Sequence, residues 1–280
     1  MAPPKFGDLG KQANDVFSKG YHFGLLKLEV KTKTETGVEF TTGGSSTIDT
    51  GNVSGNLEAK YQVKDLGMTL TEKWTTDNKL NTTVDVVDKL VPGLKLSLVT
   101  NFAPGTGAKS GSLKTEYKHD AAMVTGDLDL GMTVLNASAV MGHKGWLAGY
   151  QTCFDLGKSA VTKSNFGLGY SAADFVLHTS LNNGTDFGGS VFQKLSPNLE
   201  TGVSLGWSSA NTATKFGLGA KYVLGDGAVV RAKVNNSSEV GLGYQQQLRD
   251  GVTVTLSTLI NAANINAGNH KVGLSLEMSA

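Results

Sequence analysis

One carboxylate, that of Glu72, stands where a carboxylate is costly. Met68, Leu70, Glu72 and Trp74 alternate along the chain with polar residues, so Glu72 falls on the apolar side of its segment. If that side faces hydrocarbon, the charged form of the carboxyl is disfavoured, and such a residue is a candidate functional site. A local bulge that turns Glu72 to the other face is the structural alternative.

Basic side chains fall on the polar side of many segments. Rings of such residues raise the local concentration of anions in a wide pore without binding them tightly. The predicted anion-selectivity set is Lys27, Lys31, Lys33, Lys60, Lys95, Lys114, Lys118, Arg231 and Lys233. Acidic residues such as Asp127 and Asp155 share the same phase. A solvated surface would show a similar pattern, and this is the alternative interpretation.

Motifs for enzymatic chemistry are weak. Segment 105–110 resembles the end of a phosphate-binding loop but lacks a glycine directly before Lys109, and no strand-to-helix transition is predicted there. The five histidines lie in separate segments without metal-ligand spacing. We therefore predict no catalytic residue, no metal and no resident cofactor, and we do not expect an enzyme.

β-Strands must position these side chains, because apolar and polar residues alternate from residue 26 onward. The clearest case is segment 53–64, in which one face is wholly apolar and the other wholly polar. Each segment ends in a turn rich in Gly, Asp, Asn or Ser. We count nineteen segments, which begin near residues 26, 38, 53, 68, 80, 94, 111, 124, 135, 146, 165, 175, 186, 200, 214, 228, 239, 252 and 270.

A barrel of this many strands cannot be filled by its own side chains. Strands spaced by ~4.8 Å and tilted by ~40° would enclose a backbone circle on the order of 35 to 40 Å across. The apolar face must then look outward to lipid and the polar face inward. An odd number of strands also requires the first and last to pair in parallel. The predicted fold class is an all-β membrane protein, a single 19-stranded transmembrane β-barrel.

The chain divides into residues 1–24, an N-terminal helix and hinge, and residues 25–280, the barrel. A short amphipathic helix is predicted within residues 1–20 because apolar residues recur there at helical spacing, namely Phe6, Leu9, Ala13, Val16 and Phe17. Gly20 and Gly24 supply the hinge. The helix could lie on the membrane surface or in the lumen, and we favour the lumen.

Composition and charge agree with a barrel. The chain has 36 glycines and 5 prolines, which suits strands and turns. Its formal net charge of +1 argues against a nucleic-acid binder. The longest apolar run, residues 121–124, is far short of the roughly 18 residues of a membrane helix. The N-terminus lacks a secretory signal pattern and Cys153 is the single cysteine, so we expect a reducing compartment.

Four stretches carry a family resemblance, at residues 20–24, 71–75, 145–151 and 233–238. Together they are similar to segments of the voltage-dependent anion channels, the eukaryotic mitochondrial porins, and the similarity extends over essentially the whole chain. Residues 271–278 also resemble the mitochondrial barrel-assembly signal, a polar residue followed by glycine and alternating apolar residues. Nineteen strands characterise that family, so the strand count and the resemblance are not independent.

The resemblance implies a voltage-gated, weakly anion-selective channel of the mitochondrial outer membrane, through which ATP, ADP, small ions and metabolites diffuse. It implies that Lys11 and Lys19 take part in nucleotide passage and binding, and that Glu72 is a membrane-facing acid used in hexokinase docking. It assigns regulation by NAD(H) to Val240, Gly241, Ser257 and Leu259. The implied partners are membrane lipids, nucleotides, hexokinase, apoptosis-regulating proteins and further copies of the chain.

Three positions depart from the family pattern. His22 replaces the middle glycine of the hinge and is expected to stiffen it. Glu239 replaces an apolar residue and Gly225 replaces an acid, so the region to which the resemblance assigns NAD(H) regulation departs from the family pattern. Two alternative functions stay open: a protein-import barrel of the same organelle, and a soluble β-rich binding or structural protein whose apolar face would pack internally.

Overall fold

The computed structural model describes residues 2–131, 133–210 and 214–280. One α-helix, α1 (Lys11–Ser18), precedes the strands, which form one closed sheet. The strands are β1 Leu25–Lys33, β2 Glu39–Thr47, β3 Val53–Val63, β4 Met68–Thr75, β5 Lys79–Val87, β6 Leu94–Ala103, β7 Ala108–Lys118, β8 Ala122–Asp129, β9 Val134–His143, β10 Trp146–Asp155, β11 Ala160–Ser171, β12 Phe175–Asn182, β13 Asp186–Lys194, β14 Leu199–Ser208, β15 Thr214–Val223, β16 Val229–Asn235, β17 Glu239–Arg249, β18 Val252–Asn261 and β19 Lys271–Ser279.

The barrel closes through one parallel pair of strands, as predicted. Consecutive strands are antiparallel, whereas β1 and β19 run in the same direction, with Leu26 opposite Leu274 and Leu28 opposite Leu276. The chain just before β1 reinforces this seam, because the backbone N–H of Gly24 donates to the carbonyl of Val272 at 2.9 Å. The 19-stranded barrel predicted from the sequence is confirmed.

The largest error in the predicted strand starts is at β11, which begins at Ala160 rather than near residue 165. Its first residues are largely polar and lack a clear alternation of two. The pairing of β11 with β10 shifts in register between Cys153 and Phe154 and then continues to Ala160. This continuation depends on a β-bulge, which the alternation of apolar and polar residues does not predict.

The outward face of the barrel is apolar. Leu57, Trp74, Phe166 and Leu256 are exposed there, and the opposite phase carries charged, hydroxyl and glycine residues. The buried hydrophobic cluster of Leu9, Met123 and Val140 lies where the N-terminal segment meets the wall. A soluble protein that packs its apolar face internally is therefore the wrong alternative.

The N-terminal helix is shorter than residues 1–20. A 3₁₀ turn, Phe6–Asp8, precedes α1, and Gly10 separates the two with φ of 72°, the left-handed conformation that glycine adopts without steric cost. No helix among the described residues is long and apolar enough to cross a membrane.

The N-terminal segment lies in the lumen, as predicted. Helix α1 contacts β13, β14 and β15, and the 3₁₀ turn contacts β9 and β10. Lys5 reaches Glu116 on β7, and His22 reaches Ser257 on β18. A segment of this length can touch strands so far apart around the barrel only by crossing its interior.

Candidate functional site

Glycines form the floor on which the N-terminal segment rests. An added Cβ at Gly149 would stand 2.8 Å from the Phe6 ring, and one at Gly219 would stand 2.9 Å from Val16. At seven further glycines an added Cβ would also meet the N-terminal segment: Gly142, Gly167, Gly202, Gly217, Gly241, Gly243 and Gly273. These glycines leave room for the N-terminal segment on the lumen side, and we call this surface the glycine floor.

The apolar side of α1 is buried against this floor. Ala13 and Val16 are 1% and 2% exposed. Burying a valine side chain stabilises the docked helix by roughly 1.5–3 kcal/mol. The polar side of the segment carries ion pairs of its own, Lys11 with Asp8 at 3.0 Å and Lys19 with Asp15 at 2.7 Å. The hydrogen bond to Asp8 raises the pKa of Lys11, so this ammonium group stays charged in the lumen.

The wall from β1 to β8 carries a lattice of ion pairs between neighbouring side chains. Glu29 accepts contacts from Lys27 and Lys31, each at 2.8 Å, and Lys95 lies 3.1 Å from Asp85 on the adjacent strand. The other pairs are Lys33–Glu39, Lys60–Glu39, Lys73–Glu58 and Lys114–Asp127. We call this surface the ion-pair wall. Most of the lysines predicted to attract anions are thus partly compensated by a carboxylate, whereas Lys118 has no ion pair within the described part of the chain.

Arg231 and Lys233 differ from the rest of the predicted selectivity set. Both point inward from β16, but the N-terminal segment covers them. An added Cβ at Gly20 would meet the Arg231 Nε at 2.6 Å. The Lys233 Nζ donates to the carbonyl of Phe17 at 2.7 Å. These two cations therefore contact the helix end and the hinge instead of lining the uncovered wall.

The hinge packs on β17 and is hydrogen-bonded to β18 and β19. Gly20 and Gly24 take positive φ values of 75° and 72°, which glycine adopts without steric cost. The His22 N–H donates to Ser257 Oγ at 3.0 Å. Burial, with a smaller contribution from Lys27, lowers the pKa of His22. Burial raises the pKa of Tyr21 to about 12, so its phenol stays protonated.

The residues assigned to NAD(H) regulation do not share one accessible surface. Val240 pairs with Ile260 on the outward face, whereas Gly241 lies beneath Phe23. Ser257 is buried under the hinge through its bond to His22. Leu259 and Gly241 line a cavity of about 660 Å³ near the end of α1, together with Lys233 and Glu239. Glu239 accepts a hydrogen bond from the Asn235 amide at 2.7 Å, so a carboxylate faces this cavity.

Glu72 lies on the outward face. Its strand pairs without a register shift, with Ala59 on one side and Thr82 on the other, so the alternative of a bulge that turns Glu72 inward is not observed. Leu70 and Trp74, its neighbours in phase, are exposed on the same face. The carboxyl is therefore placed in the apolar band.

The phosphate-loop-like segment and the histidines do not form a binding site in the part of the chain that the structure describes. Residues 105–110 form the turn between β6 and β7 and the start of β7, without a following helix. Among the described residues, no cluster of His, Cys, Asp or Glu could hold a metal ion.

Sequence reasoning missed the contacts that join the N-terminal segment to distant strands. Lys5 with Glu116, and Lys233 with Phe17, Tyr21 and Phe23, are such contacts. A cluster of aromatic residues at 21–23 was the only local signal for the second set.

A closed barrel with an apolar outer face, a charged interior and an inner segment docked on one wall defines a transmembrane porin. The match to the family model of the eukaryotic porins covers residues 2–273, and the chain belongs to that family of membrane channels.

Similar proteins match this chain over all or nearly all of their length. The chain is 58% identical to a voltage-dependent anion-selective channel of Drosophila melanogaster, over 100% of both chains. It is 53% identical to the non-selective voltage-gated ion channel VDAC2 of Xenopus laevis and 52% identical to that of Homo sapiens, over 99% of this chain and 99% and 95% of those chains. Among solved structures, a mutant Rh. blastica porin matches 91% of this chain and 95% of its own with a TM-score of 0.53 at 12% identity, which supports the fold alone.

Proposed function

We propose that the chain is a voltage-gated, weakly anion-selective channel of the mitochondrial outer membrane that lets ATP, ADP, small ions and metabolites diffuse. The observation that carries the proposal is the placement of the N-terminal segment: α1 packs on β13 to β15, and the ion-pair wall of β1 to β8 lies apart from those contacts. In a barrel on the order of 35 to 40 Å across, one helix on one side leaves a wide aqueous path.

Weak selectivity follows from the paired charges. Each paired lysine of the ion-pair wall lies within 4.0 Å of a carboxylate, so the potential that it projects into the lumen is reduced, whereas no described carboxylate offsets Lys118 in this way. Screening by salt reduces it further, because the Debye length is about 8 Å at physiological ionic strength. The relatives carry both kinds of name, anion-selective and non-selective, which suits a channel with a slight preference.

Planar-bilayer recording of the purified protein in a salt gradient tests the function. We expect large conductance steps, a reversal potential that indicates a slight anion preference, and closure at either polarity of high voltage. Correct insertion without conductance would overturn the channel function and would favour an import component of the same membrane.

The nucleotide role of Lys11 and Lys19 is a further proposal. Both ammonium groups lie on the polar side of the helix, and their side chains are 56% and 61% exposed despite their ion pairs. Phosphates that pass the helix can therefore meet them. Replacing each with glutamine should slow ATP flux relative to chloride conductance, and an unchanged ratio of the two would contradict this role.

Regulation by NADH is proposed in a restricted form. Ser257 is covered by the hinge, so a nucleotide could reach it only after the hinge moves, whereas Gly241 lines the adjoining cavity beneath Phe23. The Glu239 carboxylate lines the adjoining cavity, and its negative charge would repel the phosphate of a nucleotide. We expect Glu239→Leu to strengthen any effect of NADH on conductance, which titration of the recorded channel would measure.

The outward acid Glu72 is proposed to serve hexokinase docking and contact with lipid. Its position on the apolar face supports a role at the membrane surface of the barrel and not in the lumen.

A further inference from the structure

Lys233 makes three contacts with the N-terminal segment. Its Nζ donates to the carbonyl of Phe17 at 2.7 Å. The same Nζ lies 4.3 Å from the centre of the Tyr21 ring and 5.0 Å from that of Phe23. The two rings are themselves 5.3 Å apart, so the cation closes a small aromatic cluster at the start of the hinge.

The wall is shaped to admit these contacts. An added Cβ at Gly241 would stand 2.8 Å from the Phe23 ring and 3.0 Å from the Lys233 stem. At Gly243 it would stand 2.8 Å from the carbonyl of Gly20. Any larger residue at either position would push the lysine stem or the hinge away from β17.

The charge of Lys233 has no carboxylate in ion-pair contact among the described residues. Glu239 on β17 is the charged group whose electrostatic influence reaches it, and Arg231 lies two residues away on its own strand. Its partner is instead the carbonyl end of α1. That helix has no basic residue in its last turn, and Lys19, which follows the last turn, is paired with Asp15. Lys233 therefore supplies from the wall a cation that contacts a carbonyl of the last turn, where a helix favours positive charge.

We propose that Lys233 is a positioning residue that clamps the end of α1 and the hinge to β16 and β17, and is not a charge that selects anions. Breaking the clamp frees the helix end, which widens fluctuations of the lumen and lowers the voltage at which the channel closes. The electrical half of this inference rests on the proposed channel function, whereas the mobility of the helix does not.

The decisive experiment compares hydrogen–deuterium exchange of residues 11–24 in four proteins: the native chain, Lys233→Met, Lys233→Arg and Lys95→Met. A charge-assisted hydrogen bond together with two cation–π contacts predicts exchange about tenfold faster, or more, in Lys233→Met. Lys233→Arg should keep most of the protection, because a guanidinium also donates and stacks on aromatic rings. Lys95→Met, which removes a lysine of β6 and not of the strands β13 to β15 on which α1 packs, should leave exchange of residues 11–24 unchanged.

Recording from the same proteins separates clamping from selection. Lys233→Met should increase open-channel noise and lower the closing voltage while it moves the reversal potential less than Lys95→Met does. Native-like exchange in Lys233→Met, equal acceleration in Lys233→Arg, or a reversal potential as sensitive to Lys233 as to Lys95 would each overturn the proposal.

A second variant covers failure of the first to fold. Phe23→Leu removes one aromatic face and leaves the lysine in place, so it should accelerate exchange less than Lys233→Met. Unchanged exchange in Phe23→Leu would overturn the aromatic part of the clamp. A native chain that inserts but does not conduct would overturn the channel function and leave the exchange result to decide the clamp.

Discussion

The two walls of the barrel use different residues for different tasks. From β1 to β8 the lumen side is a lattice of lysines and carboxylates, whereas from β9 to β19 glycines stand at the points where the N-terminal segment approaches the wall. Long charged side chains would prevent a helix from approaching the backbone. Bare glycine would leave an uncovered wall without charge. The difference teaches that the interior is divided into a surface for permeating ions and a surface for docking.

Substitution in the glycine floor should produce the largest effect. In Gly273→Ala the new Cβ would overlap the His22 carbonyl, which is backbone and cannot rotate away. We expect undocking of residues 20–24 at a cost on the order of 1–3 kcal/mol, seen as faster hydrogen exchange and noisy conductance. Gly189→Ala is the matched control, because nothing lies within 4 Å of its added Cβ. Equal behaviour of the two variants would contradict the docking role of the floor.

Charge reversal in the ion-pair wall should change selectivity without moving the helix. Lys95→Glu leaves two carboxylates where Lys95 and Asp85 now pair at 3.1 Å, so the reversal potential should move towards cation preference. Adding Asp85→Lys restores one charge of each sign and should bring the reversal potential back. Stability should change by no more than about 1 kcal/mol, since the pair is partly exposed. If Lys95→Glu alone left the reversal potential unchanged, Lys95 would not belong to the surface that permeating ions meet.

Acid should loosen the docked surface through His22. Burial keeps the docked imidazole neutral, and Lys27 opposes its protonation while Glu277 favours it. Because its pKa is below the ordinary 6.5, the undocked hinge takes up the proton more readily, and docking weakens as the pH falls below that value. Open-channel noise should therefore rise between pH about 7 and about 5. His22→Gln should lose this dependence, whereas His119→Gln, in an exposed turn, should keep it.

The outward face should be the least coupled to either wall. Glu72→Gln removes a carboxylate that faces lipid, so conductance, selectivity and helix exchange should stay native while docking of hexokinase weakens. Binding of hexokinase to vesicles that contain each protein measures this. Altered conductance with normal docking of hexokinase would show that Glu72 acts on conduction through the lumen and not at the outward face.

Local patterns were sufficient to predict the strands and the faces. A period of two in segment 53–64 needs no tertiary information, and the width of so large a barrel then decides which face is wet. Local patterns do not predict the bulge at β11 or the left-handed conformation of Gly10, because both depend on contacts with residues outside the segment.

Contacts within the lumen could be predicted only in part. Lys33 and Glu39 flank one turn, so their pairing follows from the strand register. Lys5 with Glu116 and Lys233 with Phe17 join residues more than a hundred positions apart, through a segment that crosses the interior. Alternation places Lys233 on the lumen side, but only the path of the docked hinge distinguishes it from Lys95.

The parallel seam has a consequence for the order of assembly. Until β18 and β19 are in place, β1 has one edge without a partner, and the hinge lacks the hydroxyl of Ser257 on β18 and the carbonyl of Val272 on β19 to which it bonds. The ends of the chain must therefore meet across nearly its whole length, a contact that forms slowly and exposes an edge meanwhile. Helix α1 precedes every strand in sequence, yet it should be the last element to become fixed.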